Sequence, residues 1–274
     1  MRNRVFEKTK HCETVSQVTN KHLTNFTNMS TKQTEMPKAS LNTLELNITS
    51  VCNLRCTSCS HFSWLLPQVH PPTEQLLEQI TTWATKLSAK TVRIQGGEPT
   101  LHPGLEEIIR HVCQVFEQPT IEIWTNGTTL RNGSFLPVEN YHAKFHVSVH
   151  HDRFVVPQSV PVCRTLDRKK HELRYRVVEG KPVPIFASAR GKCRCLHKTL
   201  LNGKLYHCAV LPFIAGYFKD IYQCDYVPAT PDFTHEQLME WLKQPNGELR
   251  SNACDICNVH GSKNLKRTLE LPVL

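Results

Sequence analysis

The sequence has no apolar run long enough to cross a membrane, since no window approaches about 18 uninterrupted apolar residues. Its first 30 residues are polar and contain no hydrophobic segment of the kind that directs secretion. It has no internal repeat and no long low-complexity tract. With 39% apolar and 21% charged residues, the composition argues against wholesale disorder, collagen and coiled coil. We therefore expect a globular protein of the cytoplasm with no membrane contact.

Cysteine is the residue that is unusually abundant, with 12 in 274 residues. The cytosol keeps thiols reduced, so clustered cysteines in a chain of this kind more often bind metal than form disulfides. The 33 Lys and Arg residues exceed the 24 Asp and Glu residues, which gives a net charge of +9. This basic balance favours a solvated surface, with an anionic substrate or nucleic acid as the sharper alternative.

Strand and helix patterns alternate through the first two thirds of the chain. Residues 1–41 have no sustained periodicity and are predicted to form a flexible arm. Period-two alternation and helical spacing of apolar residues then predict, in order, a strand at 43–48, a helix from Thr73 through Leu87, a strand at 91–94, a helix at 105–116, and strands at 120–124 and 144–149. Such alternation predicts an α/β fold with a parallel sheet, whose ligands lie at the carboxyl ends of the strands.

The pattern changes after about residue 190. Residues 199–208 resemble a hairpin around Asn202-Gly203, and Thr234 is placed to cap a helix that carries Leu238 and Trp241. We therefore divide the chain into the arm, a core at 42–190 and a small cysteine-rich module at 191–274.

Three cysteines with short spacing follow the first predicted strand. Cys52, Cys56 and Cys59 form C-x3-C-x2-C, and thiolates are ligands for both zinc and iron–sulfur clusters. A structural zinc site needs a fourth protein ligand, for which His61 is the nearby candidate. An iron–sulfur cluster with three protein ligands would instead keep one iron free for a small chelating ligand. The spacing alone does not separate these two hypotheses.

A second motif follows the next predicted strand. The paired glycines of Gly96-Gly97-Glu98-Pro99 allow a backbone to approach a ligand closely, and a carboxylate beside them can receive an ammonium group. By itself this segment could be a simple turn. Its position one βα unit after the cysteine motif makes the combination far more specific.

Together with Thr125-Asn126-Gly127-Thr128, these two motifs resemble those of the radical S-adenosylmethionine (SAM) superfamily. The resemblance covers roughly residues 43–190 and implies a partial (β/α)6 barrel of the TIM type. It also implies a 4Fe–4S cluster on Cys52, Cys56 and Cys59, with the open iron chelated by the methionyl group of SAM.

The resemblance assigns further residues to the cofactor. The Gly96–Pro99 segment, that is Gly96, Gly97, Glu98 and Pro99, would hold the methionyl ammonium, and Thr125 and Asn126 would contact the ribose. Ser148 and His150, after the fourth strand, are candidates to face the cofactor, although a satisfied polar role is the simpler interpretation. One departure is Ser58, where the family usually has an aromatic residue; Phe62 is the candidate to pack on the adenine instead.

A second set of cysteines lies in the last third of the chain: Cys193, Cys195, Cys208, Cys254 and Cys257. The pattern C-x9-G-x4-C followed by C-x2-C resembles the auxiliary-cluster module called Twitch, the short form of SPASM. Four thiolates would bind a second 4Fe–4S cluster, with Cys193 and Cys195 as alternative first ligands. A zinc ribbon is the structural alternative.

These features predict a radical SAM oxidoreductase of a small polar substrate. It resembles the short aminocyclitol dehydrogenases, in which the auxiliary cluster accepts an electron; Arg190 is a candidate to act on the substrate's proton. A flavodoxin or ferredoxin would supply electrons. The first alternative is a peptide-modifying enzyme, although residues 1–40 are too short and unpatterned for a peptide-binding domain. The second is a zinc-stabilised nucleic-acid-binding protein, which leaves Gly96–Pro99 unexplained.

Overall fold

The computed structural model describes residues 37–56, 59–132, 141–150, 156, 162–167, 175–184, 197–218, 220 and 227–244, all within the unit Pro37–Leu274. Its strands are β1 (Ala39–Asn47), β2 (Leu87–Gln95), β3 (Thr120–Thr125), β4 (Ala143–Val149), β5 (Val162–Asp167), β6 (Tyr175–Val178), β7 (Lys181–Pro184), β8 (Lys198–Leu201) and β9 (Lys204–Tyr206). Its helices are α1 (Thr73–Ala84), α2 (Leu105–Val115), α3 (Leu211–Tyr217) and α4 (His235–Lys243), with short 3-10 turns at Ser63–Leu65, Pro99–Leu101 and Thr129–Asn132.

Most of the strands form one sheet in the order β5-β4-β3-β2-β1-β8-β9. All neighbouring pairs from β5 to β8 are parallel, and β9 closes the edge antiparallel to β8. The predicted α/β fold with a parallel sheet is therefore confirmed, and it is consistent with a partial barrel. The order differs from sequential winding in one respect, because β8 joins beside β1 and not after β5.

One face of this sheet is apolar and is covered by α1 and α2. Leu46, Ile94 and Ile123 occupy neighbouring strands of that face and are buried in one core with Ile80 of α1 and Ile108 of α2. The predicted apolar stripes of both helices are confirmed by their buried residues. Since side chains alternate along a strand, the residues between these apolar positions point to the opposite face.

Several boundaries differ from the prediction. Leu87 was assigned to the first helix, but α1 ends at Ala84 and Leu87 is the fully buried first residue of β2. Its spacing fits a helical stripe, yet it pairs in the sheet with Ala39. β1 likewise begins at Ala39, four residues before its predicted start at Thr43. β1 and β2 pair with each other from Ala39 and Leu87 onward, and this pairing supplies hydrogen bonds to the extra residues. The local sequence pattern does not reveal a partner strand that is distant in the sequence.

The predicted hairpin and capped helix of the last third are both present. β8 and β9 pair around Asn202-Gly203, and Thr234 forms a capping box with Gln237 at the start of α4. However, Leu200, Leu205 and Trp241 belong to the same core as the parallel sheet. The hairpin and α4 therefore pack on the core of the sheet, whereas Leu211, Phe213 and Ile214 of α3 belong to a second apolar cluster with Phe62 and Tyr175. The division at residue 191 stays a prediction.

A buried basic pair lies under α4. His207 stacks on Trp241 with ring centroids 3.7 Å apart, and Lys198 Nζ is 2.5 Å from His207 Nδ1. Burial and the positive charge of Lys198 lower the pKa of His207 from 6.5 to about 4. His207 is therefore neutral in the folded protein at neutral pH.

This pair predicts a pH dependence of stability. Below pH 6.5 the unfolded chain protonates His207 while the folded chain does not, so the free energy of unfolding should fall as the pH drops from 6.5 to 4. The shift corresponds to at most about 3 kcal/mol. Urea denaturation at several pH values measures it, and a His207→Gln variant should lose part of the slope. An unchanged slope in that variant would contradict the assignment.

In the part of the chain that the structure describes, no helix combines the length and the apolar character that a membrane span requires.

Candidate functional site

The three cysteines of the first motif lie together in the loop that follows β1. Cys56 and Leu54 are buried, and Cys52 and Cys59 pack against them as one small cluster. A backbone hydrogen bond from Cys59 N to Cys56 O (3.2 Å) closes the turn between the last two cysteines. Trp64 Nε1 donates to Cys56 O at 2.9 Å and holds the loop from outside. The sequence prediction that these thiols are neighbours is thus met by the fold.

Burial makes these thiols poor anions on their own. It raises the pKa of Cys52 to about 12 and raises the pKa of Cys56 further, and the charge of Cys59 contributes to both shifts. Mutual repulsion of this kind requires that the sulfur atoms lie close together. Three neighbouring thiols become thiolates only beside a compensating positive charge, which an iron–sulfur cluster or another metal centre supplies. The donor set fits that group.

A single metal ion is a separate question. Among the described residues, no group of three His, Cys, Asp or Glu side chains is arranged to hold one ion. His61, the predicted fourth zinc ligand, is half-buried and packs edge-to-face on Phe213 at 5.0 Å. Burial lowers the pKa of His61 to about 4, so its ring is neutral. The described residues therefore give no support to a zinc site completed by His61.

Gly96 and Gly97 bring the end of β2 against the cysteine loop. Gly97 N donates to Thr49 O and Glu98 N donates to Val51 O, both at 2.8 Å. A Cβ on Gly97 would lie 2.3 Å from Val51 O, and one on Gly96 would lie 2.4 Å from Thr49 O. The sequence predicted close approach of these glycines to a ligand; the structure uses them for close approach to the protein's own backbone.

Glu98 is fully buried, and both of its oxygens accept hydrogen bonds. Oε1 accepts from Thr100 N, Thr100 Oγ1 and Thr125 Oγ1, and Oε2 accepts from Asn126 N at 2.6 Å. Burial raises the pKa of Glu98, and these hydrogen bonds act in the opposite direction. The carboxylate therefore faces protein donors and fixes the turn after β3 to the turn after β2. Its contact with a methionyl ammonium stays a prediction.

Asn126 connects the end of β3 to the cysteine loop. Its Nδ2 donates to Asn53 Oδ1 at 2.9 Å and lies 3.9 Å from Cys52 Sγ. Thr128 donates to Asn126 Oδ1, and Asn53 Nδ2 donates to Thr128 Oγ1 at 2.6 Å. Neither Asn53 nor Thr128 had an assigned role in the sequence analysis. The signal for them was their position, since Asn53 directly follows Cys52 and Thr128 ends the Thr125–Thr128 motif.

The end of β4 also reaches this site. His150 Nδ1 lies 3.7 Å from Cys56 Sγ, so this residue lies beside the cysteines. That position is compatible with the hypothesis that His150 faces the cofactor. Ser148 is half-buried in β4, two residues earlier. Phe62, by contrast, is buried between Tyr175 and Phe218 at ring distances of 5.1 and 5.2 Å. Its ring is thus enclosed by protein side chains, and its packing on an adenine stays a prediction.

The predicted auxiliary site falls mostly outside the described residues. Cys208 is half-buried after β9, and its sulfur accepts from Val210 N at 3.3 Å. Cys193, Cys195, Cys254 and Cys257 lie outside the described part of the chain, as does Arg190. The second cluster stays a prediction.

A row of charged residues that the sequence analysis missed crosses the polar face of the sheet. Arg93 on β2 donates to Glu45 Oε1 on β1 at 2.8 Å and to Glu122 Oε2 on β3 at 3.0 Å. Thr199 on β8 donates to Glu45 Oε2, and the Arg93 guanidinium lies 4.4 Å from the ring centre of Trp124. We call Thr199, Glu45, Arg93 and Glu122 the polar row. Its signal was a charged residue between two apolar ones in each of three strands.

Comparisons with known proteins agree with this geometry. Residues 46–153 match the model of the radical SAM superfamily. A GTP 3',8-cyclase of Streptomyces coelicolor is 35% identical over 91 residues, which are 32% of this chain and 27% of the relative. One of Aquifex aeolicus is 33% identical over 114 residues, 40% of this chain and 35% of the relative. The chain thus spans about a third of the length of these relatives.

Among solved structures, BtrN in complex with AdoMet and 2-DOIA aligns with 77% of this chain and 86% of its own, at 14% identity and a TM-score of 0.47. A second solved structure, native anSMEcpe with bound AdoMet and the Cp18Cys peptide, aligns with 41% of this chain and 31% of its own, at 22% identity and a TM-score of 0.31.

Proposed function

We propose that Cys52, Cys56 and Cys59 hold a 4Fe–4S cluster that cleaves SAM, because residues 46–153 match the model of the radical SAM superfamily. The observation that carries the proposal is the packing of the three thiols in one cluster at the carboxyl end of β1. Asn126 after β3 and His150 at the end of β4 lie beside these sulfurs, and Gly97 after β2 donates to Thr49 O in the loop that carries them. Ligand sites of parallel sheets lie at this edge.

When bound, the cluster would supply one electron to SAM, which then yields a 5′-deoxyadenosyl radical that abstracts a substrate hydrogen. The chain's own residues would position the cluster and SAM. Asn126 directs its Nδ2 toward Cys52 Sγ, and hydrogen bonds to ligand sulfurs tune such clusters. Glu98 holds Thr125 and the Asn126 backbone in place, so that both can face the ribose. The backbone of Gly96–Pro99 would hold the methionyl group.

The substrate proposal is a small polar compound of the sugar or cyclitol type, oxidised with a second cluster as electron acceptor. Cys208, with Cys193 or Cys195 and Cys254 and Cys257, would hold that second cluster, and a flavodoxin or ferredoxin would supply electrons. The relatives named GTP 3',8-cyclase match only the domain, so their substrate does not transfer to this chain.

Metal analysis of anaerobically purified protein tests the proposal. We expect iron and sulfide at about four each per chain if only the first cluster is present, and about eight if both are. Reduction in the presence of SAM should release 5′-deoxyadenosine. Zinc without sulfide would contradict the proposal and support the nucleic-acid-binding alternative.

A further inference from the structure

Two buried amides lie on the polar face of the sheet, at the carboxyl ends of β1 and β2. Asn47 is the last residue of β1 and Gln95 is the last residue of β2, and the two are register partners. Asn47 is 4% exposed and Gln95 is 7% exposed. In the part of the chain that the structure describes, Asn47 Oδ1, Asn47 Nδ2 and Gln95 Nε2 have no hydrogen-bond partner.

Such groups are rare in folded proteins because an unpaired buried amide loses its hydrogen bonds to water without replacement. A pair of them in adjacent strands is therefore a feature that needs a partner. Asn47 is followed directly by the loop that carries the cysteines, and Gln95 is followed directly by Gly96 and Gly97. They therefore stand at the carboxyl ends of two parallel strands, the edge at which ligands of such sheets bind.

The neighbouring charged side chains already form hydrogen bonds and ion pairs with one another. Arg93 donates to Glu45 and Glu122, and Trp124 Nε1 donates to Glu122 Oε2 at 3.0 Å. His146 Nε2 lies 3.8 Å from Glu122 Oε1. The hydrogen bonds to Trp124 and Arg93 and the Arg93 charge lower the pKa of Glu122, while burial acts in the opposite direction. The side chains of the polar row are thus held in place by one another. The amides of Asn47 and Gln95, two residues further along β1 and β2, have polar atoms that are left to bind a ligand.

Among the described side chains, the polar row has two carboxylates, Glu45 and Glu122, and one guanidinium, Arg93. A phosphate or carboxylate of a ligand would meet this excess negative charge in a poorly solvated place. Hydroxyl groups, which donate and accept, match the amides, which also do both. We propose that Asn47 and Gln95 bind adjacent hydroxyl groups of an uncharged polyol substrate; this inference rests on the proposed function of the site.

The first experiment measures the stability of the purified chain without substrate. Asn47→Leu and Gln95→Met keep the side-chain volume and remove the unpaired polar atoms, so the melting temperature should stay equal or rise. The matched control is Thr199→Val, which should lower it because the Glu45 carboxylate loses a donor. A fall for both amide variants as large as that of the control would overturn the proposal, since the amides would then be structural.

The second experiment measures binding of myo-inositol by calorimetry to the anaerobically reconstituted protein with SAM. Each amide variant should weaken binding by about fivefold, and inositol monophosphate should bind more weakly than inositol. No binding of inositol, tighter binding of the phosphate, or unchanged affinity in both variants would overturn the proposal. Iron content and SAM cleavage of the wild-type chain test the cluster separately, so the two failures are distinguishable.

Discussion

Replacing Cys56 with alanine is expected to abolish the formation of 5′-deoxyadenosine from SAM. Cys56 is the buried member of the three thiols, and its sulfur interacts electrostatically with both others. Without it the cluster has two protein ligands in place of three and is no longer held in the site, so SAM has no open iron to chelate. Mass spectrometry of the reduced, anaerobic reaction measures the product, and iron analysis should show loss of the first cluster.

The matched control is Cys113→Ala. Cys113 lies on α2, where its thiol donates to Tyr141 O at 3.4 Å, and it packs against the apolar core. This variant should retain the iron and the product of the wild type. If the Cys56 variant still releases 5′-deoxyadenosine at the wild-type rate, the assignment of that thiol is wrong.

Replacing Gly97 with alanine is expected to destabilise the protein by about 3 kcal/mol or more. The added Cβ would lie 2.3 Å from Val51 O and 2.7 Å from Ser50 O, and both are backbone atoms. The cysteine loop must therefore move away from β2, which also breaks the hydrogen bond from Gly97 N to Thr49 O. Urea denaturation measures the loss, and cluster content should fall with it.

Gly216→Ala is the comparison for this change. Gly216 lies in α3, and a Cβ there would have no atom within 4 Å. Alanine favours helix over glycine, so this variant should be neutral or more stable by up to about 1 kcal/mol. Equal stability of the Gly97 and Gly216 variants would contradict the close packing described for the loop.

The sequence was informative where chemistry and local pattern coincide. The spacing of Cys52, Cys56 and Cys59 and the Gly96-Gly97 pair predicted segments that meet at one edge of the sheet. Helix α4 was predicted from the cap at Thr234, because the capping box is a local hydrogen-bond pattern.

Interactions between distant segments were not predictable in the same way. Leu87 has helical spacing from α1, yet pairing with Ala39 makes it part of a strand. Glu98 was expected to bind a ligand, but Thr100, Thr125 and Asn126 surround its carboxylate. Asn47 and Gln95 read as ordinary strand ends, and only the register of β1 with β2 sets them side by side.

The place of β8 beside β1 has a consequence for how the chain is made. Glu45 of β1 pairs with Thr199 of β8, which lies 154 positions later in the sequence. The second edge of β1 is therefore unpaired until β8 has been synthesised. During synthesis, β1 and the cysteine loop that follows it therefore emerge long before the fold can close over that edge. An open parallel edge attracts other strands, so a ribosome-bound or truncated chain that stops before Lys198 should aggregate more readily than the full-length protein.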